Sequence, residues 1–282
     1  MTSIAFLGTG LLGGAFVEAA LKRGDQVAVW NRTAAKARAL EAFGARVAAT
    51  PAEAARGAAR VHLVLRDDAV VDDVIAQLRP GLEADAIIID HTTTLPALTA
   101  ARSRRLNSEG VRYLHCPVFI GPAAAREGRG AIMVCGPRTL FDAVRSGLEQ
   151  QAGQVRYLGE RPDIAAVFKL CGNAYTIGIA ALVADVFTIA AAEDVPPIDT
   201  MMVLDFIDPR AVITGRGKRM AAEDFSPTFE LTMARKDVQL MVDAAAGAPL
   251  AMLPGLVERM DAMIAEGHGA DDLGILGYAA KR

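Results

Sequence analysis

The chain has 282 residues, of which 52% are hydrophobic, 22% charged and 5% aromatic; this length is that of about two domains, and the apolar share excludes a disordered tail. Lys and Arg number 30 against 33 Asp and Glu, a net charge of -3 with no long run of either sign. Broad binding to nucleic acid or to an acidic membrane therefore has no electrostatic footprint, and any anion must be held locally.

In chain order, short apolar or β-branched runs at 4–7, 26–30, 46–48, 61–65, 87–90, 112–115, 131–135 and 155–157 read as strands. Amphipathic stretches lie between them, including 11–23, 33–43, 51–57, 70–78 and 96–109, so the first part reads as βαβ units building a doubly wound, mostly parallel sheet of an α/β domain. Thr50-Pro51-Ala52-Glu53 marks a helix start, with a capping Thr, Pro at the first helical position and Glu three residues after the Thr. After Gly159 the strand signals stop, and Pro and Gly punctuate helical segments to the C-terminus. These changes predict two domains, 1–160 and 161–282. A helix over 162–193 is roughly 48 Å long at 1.5 Å per residue and is expected to join the domains. Its stretch 164–192 is apolar enough to resemble a membrane span, but Lys169, Asn173 and Asp185 interrupt it and Gly172 and Gly178 offer close-packing sites, so a buried helix and no membrane are expected.

Cys116, Cys135 and Cys171 have neither CxxC spacing nor a companion His cluster, which predicts no zinc, no other metal and no disulfide framework. Strand-like residues begin directly after Met1-Thr2-Ser3, without the leader of an exported chain, so a cytoplasmic location is expected.

Gly8-Thr9-Gly10-Leu11-Leu12-Gly13 follows an apolar strand and opens a helix. In that context Gly8 permits a tight turn, Gly10 lets the backbone approach a pyrophosphate, Gly13 allows close helix packing, and the helix N-terminus faces the anion. After the second strand comes Asn31-Arg32-Thr33, where an NAD site commonly has an acid for the ribose hydroxyls. A guanidinium with hydroxyl and amide neighbours matches a 2'-phosphate instead, which favours NADP over NAD; a solvated Arg32 beside a helix-capping Thr33 is the plainer alternative, and the two are compatible. Lys169 and Asn173 lie four residues apart on one helical face among apolar neighbours. Such a lysine has its pKa drawn down by desolvation, so that it exchanges a proton near neutral pH, while the amide fixes a substrate oxygen. Spacing alone leaves a snorkelling lysine equally open.

Together with Asp90-His91-Thr92-Thr93-Thr94-Leu95-Pro96, Cys116-Pro117-Val118-Phe119-Ile120-Gly121, Lys236-Asp237 and Gly267-His268-Gly269-Ala270-Asp271-Asp272, these motifs resemble the β-hydroxyacid dehydrogenases over the whole chain. That group contains 3-hydroxyisobutyrate dehydrogenase and tartronate semialdehyde reductase. The resemblance implies a Rossmann-type N-terminal domain, an all-helical C-terminal domain like that of 6-phosphogluconate dehydrogenase, and assembly as a dimer or tetramer. It also implies Lys169 as the catalytic acid/base, Asn173 as a substrate contact, Thr93 and Lys236 as cofactor contacts near the nicotinamide, and the stretch around Leu65 against the cofactor. The expected activity is hydride transfer between NADP and a 3-hydroxyacid or semialdehyde type of alcohol or carbonyl.

One loop departs from the pattern. Where the family typically reads Asp-Ala-Pro-Val-Ser-Gly-Gly, this chain has His115-Cys116-Pro117-Val118-Phe119-Ile120-Gly121, which replaces a carboxylate-binding hydroxyl by a phenyl ring and a glycine by Ile120. The change favours a larger or less polar substrate by order 1–3 kcal/mol for each lost partner, although backbone amides such as that of Gly121 remain available to a carboxylate. The apolar edge also suits a related group, the imine reductases, which share the Asn-Arg-Thr turn but commonly have Asp or Tyr at the lysine position. A cofactor-binding module without catalysis is a third alternative. His115 and Cys116, adjacent at a strand end, point to opposite faces and are not expected to form a nucleophile and base pair. His62 reads as a packed histidine, His91 as one near the ligand, and His268 falls in a late Gly-rich turn.

Overall fold

Alternation along β1 (Ser3–Leu7) sends Ile4 and Phe6 to one face and Ala5 and Leu7 to the other, and all four are buried, so this strand is covered on both sides. In the computed structural model, which describes residues 3–281, β1 lies inside a six-stranded sheet with β2 (Gln26–Trp30), β3 (Arg46–Val47), β4 (Arg60–Leu63), β5 (Ile87–Asp90) and β6 (Arg112–His115). The order is β3-β2-β1-β4-β5-β6 and every pair is parallel. In a doubly wound sheet of this order the winding reverses between β1 and β4, which opens a crevice at the carboxyl ends of those strands.

The connecting helices are α1 (Leu11–Lys22), α2 (Ala34–Arg38), α3 (Pro51–Ala55), α4 (Asp68–Leu78) and α5 (Pro96–Ser108). The start of α3 forms as the Thr-Pro-Ala-Glu pattern predicts: Thr50 Oγ1 accepts from Glu53 N at 3.1 Å, and Glu53 Oε2 accepts from Ala49 N at 2.8 Å. The predicted helix 33–43 is shorter, because α2 stops at Arg38 and a 3-10 turn, Glu41–Phe43, ends on Gly44 with φ of 98°. The predicted strand 61–65 leaves the ladder after Leu63.

A second, three-stranded sheet follows, made of β7 (Val118–Phe119), β8 (Gly130–Val134) and β9 (Gly153–Tyr157), with α6 (Pro122–Arg126) and α7 (Arg138–Ala152) between them. Its β7–β8 pair is antiparallel and its β8–β9 pair parallel, and a bridge from His115 to Cys135 joins it to the first sheet. The two-residue β7 carries too little periodicity to read from sequence.

Contacts group the residues up to Asn173 as one unit and those from Ala174 as another, so the division falls inside α8 (Ile164–Ala192). The second unit holds the rest of α8, a 3-10 segment Pro197–Asp205, α9 (Pro209–Ala221), α10 (Leu231–Ala244) and α11 (Leu253–Met263), around a core that includes Leu231, Val238, Leu253, Met260 and Ile275. Two buried carboxylates order this unit. Asp185 of α8 accepts from the amides of Ala251, Met252 and Leu253 at 2.5, 2.9 and 3.0 Å; its burial works to raise its pKa, and the three amides outweigh that and hold it below the ordinary value. Asp272 accepts from Thr228 N and Oγ1, from Phe229 N and from Gly274 N, and pairs with Arg216. The late Gly267–Asp272 motif is therefore a structural clamp.

The expectation that α8 is buried is not met within one chain. Its most apolar stretch is 11% buried, and Phe168, Leu170, Ile179 and Leu182 stand exposed together with Tyr175 at 58% and Ile177 at 67%. Its buried positions are Ala165 and Ala166 in its first turn and Asp185 and Ala190 in the second unit, Asp185 because it accepts from the start of α11 and its lead-in loop, while much of the remaining apolar surface stands exposed.

Candidate functional site

Gly8 follows β1 with φ of 98°, a backbone conformation that favours glycine, and a Cβ there would lie 2.1 Å from the carbonyl oxygen of Val64. A Cβ at Gly13 would lie 2.0 Å from Gly8 O, so both glycines are imposed by contacts between β1, α1 and the loop after β4. At Gly10 a Cβ would meet nothing within 4 Å, and no side chain caps α1. The uncapped first turn, with Leu11 exposed and Leu12 packed against the core, leaves backbone amides free beside open space.

The loop after β2 is tied to this turn by Asn31, whose Oδ1 accepts from Thr9 N at 3.0 Å and whose Nδ2 donates to Thr33 O at 3.0 Å. The amide of Asn31 is thus committed to shaping the loop. Thr33 occupies the cap position of α2, but its side chain makes no capping bond, and Arg32 is exposed with no ion-pair partner among the described residues. A cleft of about 340 Å³ opens here, lined by Gly8, Gly10, Trp30, Leu65 and Val70 among others. Arg32, Lys36 and Arg66 rim it, with Asp73 the acid among them and Arg66 also held by Asp67 at 2.6 Å.

The cleft and the open edge of the sheet fit a dinucleotide: a glycine turn at a helix N-terminus for the pyrophosphate and three cations near the end of β2 for further negative charge. Sequence reasoning picked out Arg32 and missed Lys36 and Arg66. Lys36 sits four residues after Arg32, and Arg66 directly follows Leu65, so both signals were present as spacing from residues already chosen.

Leu65 and the threonine loop meet directly, since Leu65 N donates to Thr92 Oγ1 at 3.1 Å, while Thr92 N donates to Asp90 Oδ1 at 2.9 Å. Thr92 and Thr94 are buried and Thr93 between them is exposed, which leaves its hydroxyl at the carboxyl edge of the sheet. The expectation for His91 is corrected: it is 3% exposed, its Nδ1 meets Cys116 O at 2.8 Å and its Nε2 meets His62 Nδ1 at 3.0 Å, so it belongs to the core. Burial first, and His62's neighbouring ring in turn, keep the pKa of His62 low, and burial lowers that of His91 to about 4. His62 is packed as read, stacked on Phe6 at 4.6 Å. His115 and Cys116 are both buried with separate partners, Thr92 O and Thr94 Oγ1 for His115 Nε2 and Asp90 O for the Cys116 amide.

On α8, Lys169 is half-buried, and burial lowers its pKa from the usual lysine value. Its Nζ lies 4.3 Å from the ring centroid of Phe119 on β7. Asn173 follows one turn later on the same face. Gly121 is exposed at the start of α6, and Ile120 packs against Gly130. Lys236 lies in the second unit, on α10, exposed and paired with Asp237 at 2.9 Å. Among the described residues, no three of His, Cys, Asp and Glu gather as metal ligands. The first unit thus brings Gly8–Gly13, Asn31–Thr33, Leu65 and Thr93 to the carboxyl edge of one sheet, and it sets Lys169 against Phe119.

Sheet order, glycine turn and cleft define a dinucleotide-binding protein of the oxidoreductase class. The chain belongs to the family of the NAD-binding domain of 6-phosphogluconate dehydrogenase, whose sequence profile matches residues 3–159, and it is an oxidoreductase of the NAD(P)-dependent kind. It is 26% identical over 255 residues to a 3-sulfolactaldehyde reductase of Escherichia coli (strain K12), covering 87% of this chain and 84% of that protein. It is 27% identical over 172 residues to the mitochondrial 3-hydroxyisobutyrate dehydrogenase of Drosophila melanogaster, covering 61% of this chain and 53% of that one. Among solved structures, an imine reductase from Myxococcus stipitatus in complex with NADP+ superposes with a TM-score of 0.88 at 21% identity, covering 98% of this chain and 99% of that chain, a likeness of fold.

Proposed function

We propose that the chain is an NADP-preferring oxidoreductase acting on a 3-hydroxyacid or semialdehyde type of alcohol or carbonyl, with Lys169 as general acid and base. The observation that carries the reading is Lys169 itself, half-buried in an apolar helix with its pKa lowered by that burial. The nicotinamide ring, when bound, supplies or accepts the hydride. In reduction the Lys169 ammonium gives its proton to the substrate oxygen as that oxygen gains negative charge; in oxidation the neutral amine takes the hydroxyl proton. The Asn173 amide donates to the same oxygen and fixes its direction. With NADP bound, the backbone of Gly8–Gly13 would hold the pyrophosphate, Leu65 and Thr93 would contact the cofactor, and Arg32 with Lys36 and Arg66 would hold a 2'-phosphate. NADP+ in the solved imine reductase supports that preference.

Phe119 and Ile120 favour a second reading, reduction of an apolar C=N substrate, because both give the loop beside Lys169 an apolar edge. A panel of short semialdehydes, keto acids and cyclic imines with NADPH, and with NADH as control, separates the two. Turnover of semialdehydes that falls about 10²–10⁴-fold in Lys169→Ala, with NADPH binding kept, is the expected result; near-normal turnover by that variant overturns the role of Lys169.

We further propose a homo-oligomer, a dimer or a tetramer, supported by the apolar surface of α8 that one chain leaves exposed. A reducing cytoplasm suits the thiols: burial raises the pKa of Cys116 well above its usual value and that of Cys135 to about 11, so both stay protonated and slow to oxidise.

A further inference from the structure

Phe119 makes a contact that proton transfer by Lys169 does not by itself require. It lies on β7, paired with Ala131 of β8, and its ring faces the Lys169 ammonium at 4.3 Å. The same ring rests on Gly172, one turn of α8 further on: a Cβ there would fall 2.2 Å from Phe119 Cζ and 2.6 Å from one Cε. Glycine is among the poorest helix formers, yet it stands inside a 29-residue helix at the position where the ring needs space.

We infer that Phe119 is the positioning residue for Lys169: the negative face of its ring holds the ammonium in one place, and Gly172 is the gap that lets the ring reach it. This rests on the reading of Lys169 as proton donor. Two pressures then act on the lysine. Burial favours the neutral amine, and no charged side chain among the described residues enters that shift, while the ring face favours the ammonium. A lysine under burial alone is free to swing its stem away from the site; the ring gives the charged form a fixed seat. Because strand and helix hold the two partners, the seat is set by backbone.

The test replaces Phe119 in the full chain by 3,5-difluoro- and 3,4,5-trifluorophenylalanine, which keep the ring's shape and weaken its negative face, and by Phe119→Leu. Timed labelling with an amine-reactive probe across pH, read by mass spectrometry on the peptide carrying Lys169, reports the titration without substrate or cofactor. The expected result is a midpoint that falls with each added fluorine, reaching about 0.4–1 pH unit lower in the trifluoro and Leu proteins. Gly172→Ala displaces the ring and lowers the midpoint in the same direction. A midpoint unmoved across the fluorinated series overturns the proposal and leaves Phe119 as simple packing. A midpoint that falls while the pH profile of kcat stays fixed supports the seat and overturns Lys169 as proton donor, so the two failures are distinguishable.

Discussion

Arg32 is exposed beside the glycine turn with no ion-pair partner among the described residues, and with Lys36 and Arg66 it makes one rim of the cleft cationic. A charge-assisted contact to a 2'-phosphate is worth about 1.5–3 kcal/mol, so Arg32→Glu is expected to lower kcat/KM for NADPH by about 10- to 100-fold while leaving NADH nearly unchanged. Steady-state kinetics with both cofactors measure it, and equal loss with both assigns Arg32 a role apart from the phosphate. The histidines act differently. Burial depresses the pKa of His62, His91 and His115, with that of His91 brought from 6.5 to about 4. A depressed folded value means that the unfolded chain binds the proton first, so the stability these residues hold is present above pH 6.5 and is lost as pH falls toward 4. Thermal unfolding followed from pH 7.5 to 4.5 is expected to show a steep fall that His91→Gln flattens. Nothing in the sequence around His91 distinguishes a ligand-facing histidine from a core one, because the residue directly follows the end of β5 at Asp90, in a stretch where Thr92 is buried and Thr93 exposed.

At the scale of elements, the parallel strands were legible because each is a short apolar run between helices, and the glycine turn because Gly8 and Gly13 are demanded by backbone contacts at about 2 Å. Three features were not. β7 is two residues long, α2 is cut short by the turn into Gly44, and the Phe119–Gly172 contact joins residues 53 positions apart whose pairing no period encodes. The terminal Gly267–Asp272 run was legible as a motif and not as a device: Asp272 collects Arg216, the Thr228 hydroxyl and three backbone amides. Its burial works to raise its pKa, and those hydrogen bonds outweigh that and depress it well below the carboxylate range. Asp272→Ala leaves a partly buried guanidinium and several amides unpaired and is expected to cost about 3–5 kcal/mol, read as a lowered midpoint of urea unfolding. With the folded value depressed, this stability is present above the ordinary carboxylate value of about 3.9 and is lost as pH falls below it. Asp272→Asn, which keeps the shape without the charge, is expected to lie between.

For the whole molecule the decisive element is α8, whose apolar composition predicted burial and whose surface in one chain is largely exposed. An amphipathic helix is legible from its period, but α8 is apolar nearly all round, and such a helix needs neighbours on every side. Among the described residues, one chain buries only Ala165, Ala166, Asp185 and Ala190 of this helix. A bilayer is a poor candidate for the remaining cover, because Asp185 is fixed as a charged acceptor of three amides and Lys169 interrupts the apolar run in the first unit. A second copy brings an apolar surface of the same kind at no such cost, and closed symmetric dimers are the commonest solution for self-complementary patches. The wild-type chain is therefore expected to sediment as a dimer or tetramer in detergent-free buffer at micromolar concentration. Ile177→Glu, which sets a charge at the most exposed apolar position among those named on the helix, is expected to shift it toward monomer and to lower its thermal midpoint. A wild-type chain that stays monomeric without detergent, or one that requires detergent or vesicles to remain in solution, overturns self-association as the cover for α8.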